Sequence, residues 1–222
     1  MIKSIKLISF FFFFIILSTY SPNDSLGNKS ILFPIKKIKV ENYKVVNPED
    51  LTLKLNYLLG SSLLFIKKES LKSALKSNNF IMGFNIKKIY PDTIKISITE
   101  KTPVAIYIDK KRRFFLLSNG DLITYKDIKI YESLPLVYGN NKGFKELFHN
   151  LKKLDFPLKK IKAFHYFGIG RWDIIFKNQK IIKLPKKDYL ESLKNYLYLK
   201  DKKNFEKYKI FDYRINNQLI LN

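Results

Sequence analysis

Residues 93–100, Thr-Ile-Lys-Ile-Ser-Ile-Thr-Glu, alternate apolar and polar side chains without a break. An extended chain turns successive side chains to opposite faces, so this stretch is a strand with Ile94, Ile96 and Ile98 on one side and Lys95, Ser97 and Thr99 on the other. Such a strand needs an apolar cover on one face only. The cover is readable upstream. Asn47 is a helix N-cap, Pro48 suits the first helical position, Glu49 and Asp50 complement the helix dipole, and Gly60 can take the left-handed stop. Within those limits Leu51, Leu55, Leu58 and Leu59 share a face, and a second helix over 67–77 turns Leu71, Ala74 and Leu75 the same way. A strand at 35–40 precedes the helices, and one at 84–90 follows them and leads through the Pro91-Asp92 turn into 93–100. The order β-α-α-β-β makes a small α+β module over 34–102.

After Pro103 the pattern changes to short strands, at 104–108, 113–117 and 122–125, then 161–166, 171–176 and 180–184. Two amphipathic helices interrupt them. One runs over 143–154 with Phe144, Leu147, Phe148, Leu151 and Leu154 at helical spacing, the other over 188–200 with Leu190, Leu193 and Leu197 inward. The chain closes with strands at 210–216 and 219–221, a hairpin turning at Asn216-Asn217. Residues 103–222 are thus expected to form a β-rich domain, an antiparallel sheet with two or three helices.

The amino-terminus is an address. Lys3 and Lys6 precede an uncharged stretch, 7–23, that holds Phe10, Phe11, Phe12, Phe13, Phe14, Ile15, Ile16 and Leu17 in one run. It is barely long enough to cross a bilayer, and a cleavable signal peptide is the competing reading. The site after Leu17 lacks the small-x-small pattern of signal cleavage, which favours a transmembrane signal anchor. Basic flanks keep residues 1–6 in the cytoplasm in both cases. Residues 24–33, with Ser, Asn and Gly and no periodicity, read as a linker.

Composition bears on partners. The formal charge is +23, but only four of the 42 basic residues are Arg. Phosphate and base recognition lean on the guanidinium fork, and here Lys is scattered through every segment, so nucleic acid is not expected as a partner. Weak contact with anionic lipid or peptidoglycan fits the charge better. The absence of cysteine excludes disulfides, thiolate zinc and cysteine nucleophiles. His149 and His165 have neither metal-ligand nor triad spacing. Asp173 and the Asp212-Tyr213-Arg214 triplet form no carboxylate pair at a recognisable spacing, so neither catalysis nor a cofactor is expected.

The residues carry a resemblance. Gly60-Ser61-Ser62-Leu63-Leu64-Phe65, and Tyr90 to Glu100 followed by Pro103-Val104-Ala105, are similar to the linking and closing motifs of a POTRA domain of the FtsQ/DivIB cell-division family. Phe115 to Gly120, Arg171-Trp172-Asp173 through Leu184-Pro185, and Asp212-Tyr213-Arg214 resemble that family's second domain. Ser118 stands where the family's hairpin has an acid, Ile215 where an aromatic follows the Arg, and Asn217-Gln218 where a small pair is usual. The resemblance implies a non-catalytic scaffold of the division septum, single-pass and type II in the inner membrane, with both domains in the periplasm. It implies binding to the small coiled-coil proteins FtsB and FtsL, by strand addition at the last sheet edge, with Arg214, Ile215, Asn216, Asn217 and Leu219 as the edge residues. POTRA proteins of outer-membrane assembly share parts of the first set of motifs and are the alternative class.

Overall fold

The computed structural model describes residues 11–15, 31–215 and 218–222. The first module has the expected order: β1 (Lys37–Glu41), α1 (Pro48–Lys54), α2 (Lys68–Lys76), β2 (Ile81–Ile89) and β3 (Thr93–Glu100). β3 sits in the middle of the sheet, parallel to β1 and antiparallel to β2. Its Ile94, Ile96 and Ile98 lie against Leu51, Leu55, Leu71 and Leu75, all buried. The Asn47 side chain accepts from the Glu49 N–H at 2.8 Å, as an N-cap does. α1 is shorter than the leucine spacing predicts. It gives way after Lys54 to a 3-10 turn at Asn56–Leu58, and the tighter winding leaves Leu58 inside but Leu59 exposed.

The Glu100 carboxylate ends β3 and accepts hydrogen bonds from three successive backbone amides, those of Lys44, Val45 and Val46, at 2.9–3.1 Å. These bonds satisfy loop donors that would otherwise be left unpaired, and fix the approach to α1 to the place where the chain leaves the module.

The second part contains β4 (Pro103–Asp109), β5 (Arg112–Leu117), β6 (Leu122–Thr124), β7 (Leu136–Tyr138), α3 (Phe144–Lys153), β8 (Ile161–Phe167), β9 (Arg171–Phe176), β10 (Ile181–Lys183), α4 (Tyr189–Leu199), β11 (Ile210–Asp212) and β12 (Ile220–Leu221). Its strands form one sheet of nine in the order β12-β11-β10-β9-β8-β7-β4-β5-β6. The expectation of an antiparallel sheet is corrected here, because the sheet is mixed. β7 runs parallel to β4 and to β8, and β11 runs parallel to β10. The reason is in the connections. Parallel neighbours need a crossover, and α3 carries the chain from β7 to β8 as α4 carries it from β10 to β11.

Both helices lie on one face of the sheet. Phe144, Leu147, Phe148 and Leu151 of α3 and Leu193 and Tyr196 of α4 are buried with Phe164, Trp172, Ile174, Phe176, Ile182 and Phe211 from the strands. α4 is rotated from the predicted face. Tyr196 and Leu199 are buried while Leu190 is 38% exposed, since Tyr196 stacks on Phe176 and meets Phe211 edge-on. Gly139 follows β7 at a φ of +89°, where a Cβ would come within 2.2 Å of the Tyr166 carbonyl oxygen, so β7 and β8 can close up only around glycine.

The two parts share a core. Ile106, Phe115, Leu117 and Ile123 belong to the same buried cluster as the helices of the first module, and Phe115 meets Phe80 edge-on with centroids 5.7 Å apart. Strands β4 and β5 are thereby covered on both faces.

Candidate docking edge at the C-terminal end of the sheet

The far end of the sheet is built differently. β11 and β12 pair antiparallel, with Phe211 opposite Leu221 and Asp212 opposite Ile220. Ile210 and Asn222 exchange both backbone hydrogen bonds, at 2.8 and 3.2 Å. Residues in an antiparallel pair alternate between exchanging bonds inward and pointing them outward, so the N–H and C=O of Leu221 face away from β11. That is an open edge of the sheet, and it is short. Natural sheets blunt their edges against chance strand pairing in this way.

Behind the edge, charges run across the strands on the face that carries no helix. Asp173 of β9 lies opposite Lys183 of β10, and Lys183 lies opposite Asp212 of β11. The Arg171 guanidinium donates to Asp173 at 2.7 Å, with both side chains nearly buried, and the Lys183 ammonium is 3.9 Å from Asp212. Arg214 forks onto Asp212, donating from Nε at 2.8 and 2.9 Å to the two carboxylate oxygens. That hydrogen bonding holds the Asp212 carboxyl below its ordinary value, with burial working in the opposite sense. At Asp173 burial is the larger effect and pushes the carboxyl up despite Arg171.

On the other face a groove of about 690 Å³ opens between α4 and the terminal hairpin, lined by Asn195 and Tyr198 of the helix and by Tyr213, Ile215, Gln218 and Leu219 of the hairpin. The Tyr213 hydroxyl donates to Asn195 at 2.9 Å and ties hairpin to helix. Burial pushes that hydroxyl far above its usual pKa, so it stays a donor at any physiological pH. Two buried-face aromatics, Trp172 and Tyr213, are therefore flanked by Arg and Asp on the opposite face, in Arg171-Trp172-Asp173 and again in Asp212-Tyr213-Arg214.

The structure brings the expected edge residues to one place but not onto a strand. β11 ends at Asp212, earlier than the predicted 210–216, because the Arg214 N–H and side chain both turn back to Asp212. Arg214 is engaged within the chain. Ile215 is 51% exposed, Leu219 is half-buried in the groove wall, and Asn216 and Asn217 lie outside the described residues. Leu221, Tyr198 and the pair Arg171–Asp173 belong to the same end of the sheet and were not in the expected set. Residue spacing offered one signal: an Arg and an Asp two positions apart on a strand share a face.

Of the amino-terminal run, Phe11, Phe12, Phe13, Phe14 and Ile15 are helical and exposed, while Phe10, Ile16 and Leu17 lie outside the described residues. Among the described residues no helix is long and apolar enough to cross a membrane, and no group of three or more His, Asp or Glu side chains is placed to hold a metal ion.

Residues 33–101 match the POTRA domain, FtsQ-type, and residues 105–214 match the cell division protein FtsQ/DivIB, C-terminal. The chain belongs to the FtsQ/DivIB family. Cell division protein FtsQ of Rickettsia conorii is 28% identical over 191 residues, which cover 84% of this chain and 71% of that one. FtsQ of Rickettsia typhi is 27% identical over 210 residues, 92% of this chain and 76% of its own. FtsQ of Methylomonas methanica is 23% identical over 169 residues, covering 74% and 67%. A solved structure, the major extracytoplasmic domain of the division protein DivIB of Geobacillus stearothermophilus, is 17% identical with a TM-score of 0.33, covering 46% of this chain and 92% of that one. The FtsQ/DivIB match over the second part distinguishes the chain from POTRA proteins of outer-membrane assembly. It stops at Arg214, so in this FtsQ/DivIB chain Ile215, Leu219 and β12 lie beyond the matched segment.

Proposed function

We propose that the chain is a non-catalytic scaffold of the division machinery, tethered to the inner membrane by residues 7–23 with its folded part outside the cytoplasm, and that it binds FtsB- and FtsL-type proteins at the terminal sheet edge. The observation that carries the reading is the outward backbone of Leu221 beside the groove that Ile215 and Leu219 line. A partner strand pairing with β12 would gain main-chain hydrogen bonds, and the groove would take its flanking apolar side chains. Arg171 and Lys183 behind the edge are taken up by Asp173 and Asp212, so the main chain and the groove, not a free cation, would select the partner. Arg214 serves this site by holding Asp212 and the turn, not by reaching for the partner's acid.

The test follows from that difference. Replacing Arg214 by Glu would set two carboxylates against each other and disturb the hairpin itself. Ile215→Glu instead charges the groove wall at an exposed position, and Leu221→Pro removes the outward N–H while the bonds to β11 stay. Both variants are expected to keep the far-ultraviolet circular dichroism of the parent and to lose co-purification with FtsB and FtsL homologues. Retained association in both would overturn the edge assignment.

A further inference from the structure

The first module carries a second unexplained surface, at the end where the chain enters it. Leu32, Phe33, Leu64, Phe65 and Tyr90 are exposed there, Phe65 by 78%. They are neighbours. The Ser62 hydroxyl donates to the Leu32 carbonyl at 2.7 Å, the Leu63 N–H to the Phe33 carbonyl at 2.9 Å, and the Phe33 and Tyr90 rings meet edge-on at 5.1 Å. The Lys88 ammonium donates to the Leu64 carbonyl at 2.6 Å, and the exposed Lys67 and Lys68 follow Phe65 after Ile66. Two acids lie close in the chain: Glu69, exposed directly after Lys68, and Asp92, whose side chain accepts from Thr93 and whose carbonyl accepts from the Lys36 N–H. An apolar cluster of this kind, rimmed by lysines, marks an interaction site rather than ordinary surface.

We propose that this patch lies on the anionic headgroup surface of the membrane that anchors the chain. Two observations choose that occupant. Lysines around Leu, Phe and Tyr match a negatively charged interface, into which aromatic and aliphatic side chains dip while the ammonium groups stay at the headgroups. The reach also fits: the uncharged stretch ends at residue 23 and the patch begins at Leu32, so the eight residues between them span at most about 28 Å. Docked this way, the module holds a fixed side to the bilayer, and the terminal edge on the second part is presented at a set orientation. The inference rests on the membrane tether proposed above.

The chain has no cysteine, so a single engineered thiol can carry an environment-sensitive fluorophore. Full-length Phe65→Cys and, as a distant control, Tyr198→Cys are labelled, reconstituted into vesicles of phosphatidylglycerol with phosphatidylcholine or of phosphatidylcholine alone, and floated. The expected result is flotation with a blue-shifted label at position 65 only, the shift being largest with phosphatidylglycerol and lost in Lys67→Glu/Lys68→Glu. Flotation with both labels equally exposed would overturn the patch and leave the tether standing. Absence of flotation would overturn both. A blue shift at position 65 without vesicles would assign the patch to a contact within the chain and also overturn the proposal.

Discussion

The two ends of the nine-stranded sheet use the same strand chemistry for opposite purposes. At one end β4 and β5 send alternate side chains into two cores: Ala105 and Leu116 face α3, while Ile106, Phe115 and Leu117 face the first module. At the other end β9, β10 and β11 bury Trp172, Ile174, Ile182 and Phe211 on the helix side, and the opposite positions hold the half-buried Ile175, Ile181 and Ile210 beside Arg171, Asp173, Lys183 and Asp212. A two-sided core fixes how the parts of the molecule sit together. A one-sided end, finished by ion pairs and a short edge, leaves outward backbone groups on β12 and a groove beside them.

If that contrast is right, the largest effect of a single truncation falls at the two-sided end. Phe115→Ala removes a fully buried ring that touches Phe80, Tyr125 and Tyr131. Its cost is expected to be about 4 kcal/mol, a fall of roughly 8–16 °C in Tm for a chain of this size. Ile175→Ala, on the open face opposite Ala163 and Ile181, should cost only about 1 kcal/mol. Thermal unfolding of the two variants compares them directly, and equal costs would break the contrast.

The ion pairs come next. Arg171→Ala leaves the buried Asp173 without its 2.7 Å partner and is expected to cost about 3 kcal/mol. Arg214 is 45% exposed and Asp212 keeps Lys183, so Arg214→Ala should cost about 1 kcal/mol, roughly a third of the penalty at Arg171. Urea unfolding gives the order. A larger loss at Arg214 would mean that the hairpin, and not β9, anchors this end.

Much of this was legible beforehand, and what was not has a physical cause. The strand at 93–100, the two crossover helices and the terminal hairpin follow from local periodicity and turn chemistry, which the chain carries within a few residues. Two of the parallel pairings involve β7, a three-residue strand that the sequence pattern does not announce, and the third joins β10 to β11, neighbours chosen across tens of residues. α4 presents Tyr196 rather than Leu190 because aromatic partners on β9 and β11 outweigh the leucine spacing. At the terminal hairpin the resemblance assigns Arg214 to a partner, whereas the structure pairs it with Asp212. The alternation Asp212-Tyr213-Arg214 already put its acid and base on one face, as Arg171-Trp172-Asp173 does on β9, and reading that spacing would have paired them within the chain.

The smallest expected effect separates the two carboxylates of this end by sign. Asp212 titrates lower in the folded chain than in the unfolded one, so its stabilisation is complete above the unfolded carboxylate value of about 4 and is lost as pH falls through its depressed folded value. Asp173 titrates higher when folded. Its charge therefore costs stability above the folded value, and protonation on the way down to about pH 4 relieves that cost. Followed by urea unfolding from about pH 6 to about pH 3, Asp212→Asn should flatten the acid-side loss, and Asp173→Asn should remove the shallow gain that precedes it. Changes of the same sign in both variants would show that Arg171 outweighs burial at Asp173, and that the exposed face of the sheet is more open to water than its geometry requires.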